Sequence, residues 1–177
     1  SCNLAAIAES SRPCVLHVAA QTFADEDGTV VADDSNVMAV ANTGACMLSS
    51  HTVQEAADLA VVAHLAAQST SKPFVHFFDG VRTAKDEMTI EALPYPAPKE
   101  VVDIAAERAT VGVSDIAQHL EDTMRELAPV FGRQYKLFDY VGAPDAELVI
   151  VVMGSAATVA QEGVERLSAS GWPVGVI

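Results

Sequence analysis

The chain has 177 residues, half of them hydrophobic and only 6% aromatic, enough apolar material for one sizeable core or two small ones. Its 24 acidic against 10 basic side chains give a formal charge of −14. No Lys/Arg cluster of the kind that neutralises phosphates stands anywhere in it, so nucleic acid and an anionic membrane surface are excluded as expected partners.

Cys2, Cys14 and Cys46 are far apart and sit in no CxxC or Cys/His metal spacing. They read as small buried hydrophobes in a reducing compartment, which gives a cytoplasmic expectation. The longest apolar stretches, such as Leu59 to Ala67, are broken by His64 and too short to span a bilayer. No basic region followed by an apolar one opens the chain, so no signal peptide is expected. It starts on what reads as the tail of a helix and stops within an apparent strand, and it is expected to be a piece of a longer polypeptide.

After Arg12-Pro13, Cys14 to Ala20 is a nearly continuous apolar run, which suits a strand covered on both faces in a parallel sheet. An acidic loop from Asp25 to Asp34 follows, with Gly28 as its turn residue. Ala45 to Leu48 is a second short strand. Thr52 then stands three residues before Glu55, the capping-box spacing, and opens an Ala-rich helix over Val53 to Gln68. Phe74 to Phe78 gives a third strand, closed by Asp79-Gly80. Strand, helix, strand in this order predicts a βαβ unit with a right-handed crossover and an open parallel sheet.

Pro94, Pro96 and Pro98 belong to neither a helix nor a central strand and mark a linker. Within it, Ser114 to Leu127 places Ile116, Ala117, Leu120, Met124 and Leu127 on one helical face. The final stretch, "LVIVVMGSAATVAQEGVERLSASGWPVGVI", reads as a second strand, helix, strand unit. Two α/β segments joined this way predict parts of two domains: 1–93, a linker with a helix over 94–140, and 141–177.

The motifs that invite chemistry each have a plainer reading. "MGSAAT", Met153 to Thr158, sits at a strand-to-helix turn but has one glycine and matches no phosphate fingerprint, so Ser155 is expected as a helix cap. His17, His51, His64 and His76 include no pair at i, i+3 or i+4, and satisfied core or surface histidines are expected rather than metal ligands. Asp33, Asp34 and Asn36 lack the glycine and distal Glu of a calcium loop. "EDGTVV" has no second glycine and no following Asn to hold a metal diphosphate. Ser49, Ser50 and His51 are helix-entry residues without a nucleophile elbow.

Taken together, "RPCVLHVAAQTF", "DDSNVMAVANTGACMLSSHTVQEAADLAVVAHLAA", "KPFVHFFDGVRT" and "GRQYKLFDYVGAPDAELVIVVMGSAATV" resemble pyruvate:ferredoxin oxidoreductase, the thiamine-diphosphate enzyme family. The resemblance implies that 1–93 is the second half of the pyrimidine-binding domain and that 141–177 begins a transketolase-C-like domain. It also implies that the cofactor-activating Glu, the Gly-Asp-Gly diphosphate site and the cluster cysteines lie outside this segment, so no cofactor is expected within it. Two positions depart from the family pattern. The Arg that holds the substrate carboxylate is here Gln21, and a second Arg, before the Gln-Thr-Gly step, is here Ala41. An amide hydrogen-bonds but cannot form the bidentate charged pair that selects a 2-oxo acid. The connection between Thr89 and Gly132 is also shorter than in active enzymes of the family.

These departures resemble the degenerate version of the region carried by the flavoprotein subunit of NADPH-dependent sulfite reductase. That implies a scaffold or dimerisation segment with no catalytic residue, in a parent using FAD, FMN and NADPH. The alternative is a segment of an active pyruvate:ferredoxin or pyruvate:NADP oxidoreductase using thiamine diphosphate and iron–sulfur clusters. Either way the expected partners are other domains of the same polypeptide, in a homodimer or hetero-oligomer.

Overall fold

The structure, a computed structural model, describes residues 2–10, 12–24, 27–94, 97–108 and 115–177. A short helix α1 (Cys2–Glu9) leads into β1 (Cys14–Phe23), β2 (Val30–Ala32), a helical turn α2 (Ser35–Met38), β3 (Cys46–Ser50), the long helix α3 (Val53–Thr70) and β4 (Pro73–Asp79). Their strands form one sheet in the order β2-β1-β4-β3. β1, β4 and β3 run parallel, as the apolar runs predict, and β2 pairs antiparallel at the edge. The expected acidic loop after β1 is therefore in part a hairpin. Gly28 takes a left-handed φ of 77°, and the Ala24 amide donates to the Thr29 carbonyl at 2.8 Å. Asp25, Pro96, Ser114 and the side chain of Cys2, which also figured in the expectations, lie outside the described residues.

Both faces of the sheet are covered at β4, but not along β1: Cys14 to Ala20, expected to be covered on both faces, has Leu16 42% exposed and His17 and Ala19 exposed. On one face Phe74 and Leu48, with Val15, pack under Leu59, Val62, Ala63 and Ala66 of α3. On the other, Val75, Phe77 and Ala20 pack with Leu4 of α1 and Val37 of α2. The small residues of α3 let it lie close to the strands, and Val62, Ala63 and Ala66 are completely buried. Its N-terminus is capped as predicted, with Thr52 Oγ1 accepting from the Glu55 amide at 3.1 Å. The Glu55 carboxylate reaches one residue further back than a capping box requires, accepting from the His51 amide at 2.6 Å.

The segment after β4 contains helix α4 (Lys99–Arg108), which the sequence reading did not assign, and α5 (Ile116–Phe131), which runs past the predicted Leu127. Val101 of α4 and Leu120, Met124, Leu127 and Phe131 of α5 complete the main core above α3. Ala117, expected on the buried face of α5, is exposed; His119 and Thr123 are buried there instead. Gly132 closes α5 with a φ of 68° and donates to the Ala128 carbonyl.

A second, smaller sheet follows, built from β5 (Val141–Gly142), β6 (Leu148–Ile150) and β7 (Val174–Val176) in the order β5-β7-β6, with helix α6 (Ala156–Ala169) between β6 and β7. β6 and β7 are parallel, giving the expected second strand, helix, strand unit. Gly142 is needed where it stands, because its φ is 139° and a Cβ there would run into the Val174 carbonyl oxygen and Gly175 Cα of β7. No helix among the described residues is long and apolar enough to cross a membrane.

Candidate functional site

In an open parallel sheet, ligands are received in the crevice beyond the carboxyl ends of the strands. At that end β1 changes partners. Its parallel pairing with β4 stops at Ala20 opposite Asp79, and Gln21 is already in the antiparallel hairpin, opposite Ala32. Gln21 is exposed. Ala41 is exposed too, in a 3₁₀ turn over Ala41–Thr43 that packs on α1. The two predicted pocket positions thus belong to different elements, one on the β1–β2 hairpin and the other on the turn before β3.

Two clefts open near these strand ends. One, of about 380 Å³, is lined by Ala19, Val53, Ala56, Phe78, Thr83, Ala84 and Asp86. The other, of about 160 Å³, lies against Asp33, Asp34, Asp79 and Ser155. Neither lining includes a Lys or Arg. A diphosphate or a substrate carboxylate needs cationic or clustered amide donors; the first cleft offers an apolar floor with one carboxylate, Asp86, and the second offers three, Asp33, Asp34 and Asp79. The residues present do not fit the charged portion of thiamine diphosphate.

The acidic recess is organised by Asp79. Its Oδ1 accepts from the amides of Val81 and Arg82, each at 2.8 Å, and its Oδ2 accepts from the Ser155 hydroxyl. Burial alone would raise its pKa, but the hydrogen bonds from Ser155, Arg82 and Val81 and the Arg82 charge outweigh that and hold it low. Asp34 is pushed the other way, first by burial and then by the charges of Asp79 and Asp33. Ser155 stands at the N-cap of α6, as predicted, but makes no capping bond because its hydroxyl is turned to Asp79. Asp33 closes a local turn, accepting from the Ser35 amide at 2.9 Å.

The histidines are brought together by the fold in a way that no sequence spacing announces. His17 on β1 and His76 on β4 are cross-strand neighbours, and His64 on α3 lies over them. His17 Nδ1 is 2.9 Å from His76 Nδ1, and His17 Nε2 is 3.1 Å from His64 Nε2. His76 Nε2 in turn meets Ser50 Oγ at 2.6 Å. Burial, reinforced by the His17 charge, lowers the His76 pKa to about 4, while burial and then His64 lower that of His17. Neighbouring His51 behaves oppositely, raised chiefly by its hydrogen bond to Glu55, with Nδ1 and Oε2 2.6 Å apart.

A second polar network anchors the short connection after β4. Asp58, 2% exposed on α3, receives Arg133 Nε at 3.0 Å, the Tyr135 hydroxyl at 2.6 Å and the Gln54 amide. Arg133 also bonds Glu91 at 2.6 Å, and Gln54 accepts from the Glu91 amide at 2.7 Å. Arg133 is the second residue of the "GRQYKLFDY" stretch that carries part of the resemblance, and here it pins the connecting segment to α3.

The fold is α/β, a parallel sheet flanked by helices with a crevice beyond its strand ends. A 2-oxoglutarate:ferredoxin oxidoreductase from Magnetococcus marinus, solved with 2-oxoglutarate, coenzyme A and succinyl-CoA bound, shares this fold with a TM-score of 0.59 and 16% identity, over 98% of this chain and 38% of that one. The model of the family "Pyruvate flavodoxin/ferredoxin oxidoreductase, thiamine diP-bdg" matches residues 1–143, and the chain belongs to that family. Similar proteins include the mitochondrial pyruvate dehydrogenase [NADP(+)] of Euglena gracilis, 38% identical over 99% of this chain and 11% of its own length. The pyruvate:ferredoxin oxidoreductase of Moorella thermoacetica is 38% identical over 99% of this chain and 18% of its own. The chain thus spans less than a fifth of these relatives. Both alignments run to 205 positions for a chain of 177 residues, so the relatives carry residues that this chain lacks.

Proposed function

We propose that this chain is the degenerate pyruvate:ferredoxin-oxidoreductase-like region of a large, multidomain, NADPH-dependent flavoprotein of the sulfite reductase type, where it serves as a scaffold or dimerisation segment. The observation that carries this reading is that no Lys or Arg lines either strand-end cleft, the nearby Arg82 charge being engaged with Asp79, and that Gln21 and Ala41 stand where the family resemblance implies arginines. A 2-oxo acid held by an amide alone loses the bidentate charged pair, and three nearby carboxylates repel it further. The residues missing relative to the aligned relatives agree with a region relieved of substrate handling.

The test uses the full-length parent supplied with pyruvate, coenzyme A, thiamine diphosphate and a dye acceptor, with NADPH as the parallel donor. Reduction by NADPH without reduction by pyruvate is expected. Thiamine-dependent pyruvate turnover would overturn the proposal and establish the second reading, a segment of an active pyruvate oxidoreductase, which the names of the similar proteins favour.

A further inference from the structure

The second sheet holds a strand with the composition of a buried one and no cover. Residues 148–153 are all apolar, and the Val152 amide donates to the Ile177 carbonyl at 2.9 Å, so pairing with β7 runs on past the end of β6. Successive side chains of a strand point to opposite faces, so the exposure of Leu148, Val149, Ile150 and Val151 in turn leaves β6 bare on both. Helix α6 packs chiefly over β5 and β7. β6 also ends the sheet, and no strand among the described residues pairs with its outer edge.

Proteins blunt an open edge of this kind with a charge or a proline, and 148–153 has neither. Its unbroken apolar run is that of a strand inside a parallel sheet, as β4 is in the first unit. A second copy paired edge to edge about a two-fold axis would run antiparallel, leave both faces of β6 bare and bring together two chains of charge −14. A further strand with its crossover helix covers the edge and one face at once. Handedness says which face. α6 carries the chain from β6 across to β7, so a connection from β7 back past β6 runs the other way, and a right-handed crossover sets its helix on the face opposite α6. The other end of the sheet, β5, is two residues long, and a strand added there leaves β6 as bare as before.

We propose that β6 is an inner strand of a larger sheet, covered by the stretch of the parent polypeptide that follows β7: a helix on the face opposite α6 and a parallel strand along the outer edge of β6. The chain spans 11% and 18% of the two relatives described above, so a parent of their size has such a stretch to supply. This covering requires the longer polypeptide of the reading above but not its loss of pyruvate chemistry. The outcome with pyruvate and dye therefore leaves it untouched.

Hydrogen exchange and photo-cross-linking of the full-length parent test the proposal. The amides of Leu148 to Met153 should exchange as slowly as those of β4. Photo-leucine at Leu148, close in shape to the residue it replaces, should capture residues of the same polypeptide within roughly 40 positions after Ile177, the reach of one crossover helix and its strand. Mixing heavy- and light-isotope protein separates capture within one chain from capture between two copies. Cross-links to a second copy, to a distant part of the polypeptide or to nothing outside residues 1–177 would overturn the proposal. So would β6 amides that exchange as fast as those of the exposed segment from Asp86 to Thr89.

Discussion

The two sheets of this molecule are built from the same unit, strand, helix, parallel strand, yet they treat their apolar residues oppositely. In the first, β4 is buried along nearly its whole length, and Phe74 near its start is 0% exposed. In the second, every residue of β6 is exposed, with Leu148 at 62% and the following Val151 at 78%. Helices cover both faces of the first sheet around β4; Val164 and Val176 are the buried hydrophobics of the second. A βαβ unit is thus a topology that becomes a stable layer only when something covers the strands. Exposed Phe138, Trp172 and Val159 extend the same uncovered apolar character around the second unit.

The largest effect that sharpens this comparison is a core truncation. Phe74→Ala should cost about 4 kcal/mol of unfolding free energy through lost burial and the cavity left behind, whereas Val151→Ala should cost less than about 0.5 kcal/mol. Urea denaturation of the two variants measures both. Equal losses would mean that Val151 is covered in solution and that the contrast between the sheets does not hold.

Next in size is a pH effect confined to the first sheet. The folded pKa of His76, about 4, lies below its ordinary 6.5, so the unfolded chain binds the proton more readily between those values. The stabilisation is therefore fully present above pH 6.5 and is lost as pH falls towards about 4, by roughly 3 kcal/mol in all. His51, raised by Glu55, works with the opposite sign: its contribution is present below its ordinary 6.5 and fades as pH rises through its folded value. Denaturation midpoints measured across this range should fall steeply in acid, and His76→Phe should flatten that fall. A wild-type profile without an acid limb would show that His76 is not held neutral by the fold.

The strands, α3 with its Thr52 cap and the second βαβ unit were legible because their signals are local: a period, a cap spacing, a turn residue. Helix α4 was hidden by its surroundings, since Pro94 and Pro98 mark the approach as a linker while Val101 alone reaches the buried core. Hairpin strand β2 was missed because Val30 to Ala32 is too short to show alternation within an acidic stretch. The histidine chain was invisible for a deeper reason. Its members stand on β1, α3 and β4, and only the register His17 opposite His76 brings them together. That register follows from which strand lies beside which, and no spacing within one element encodes it. Ser155 misled for a similar reason: its local position is a cap, but a carboxylate 76 residues away captures its hydroxyl.

That hydroxyl is also where the two regions meet, and it supplies the smallest and most discriminating test. Asp79 ends β4 of the covered sheet, and Ser155 begins the helix of the uncovered one. Removing the hydroxyl in Ser155→Ala leaves the two backbone amides on Asp79 Oδ1, so the carboxylate keeps part of its stabilisation and the expected loss is only about 1 kcal/mol. The more telling readout is where the loss appears. If the small unit leans on the large one through this bond, hydrogen exchange should quicken in α6, β6 and β7 while the amides of β4 and α3 stay protected. The Asp79 carboxyl should also titrate higher in the variant, because the Ser155 bond is the leading influence that opposes burial there. Uniform exchange across both sheets would instead mean that the two units unfold together and that the uncovered sheet owes its order to more than this contact.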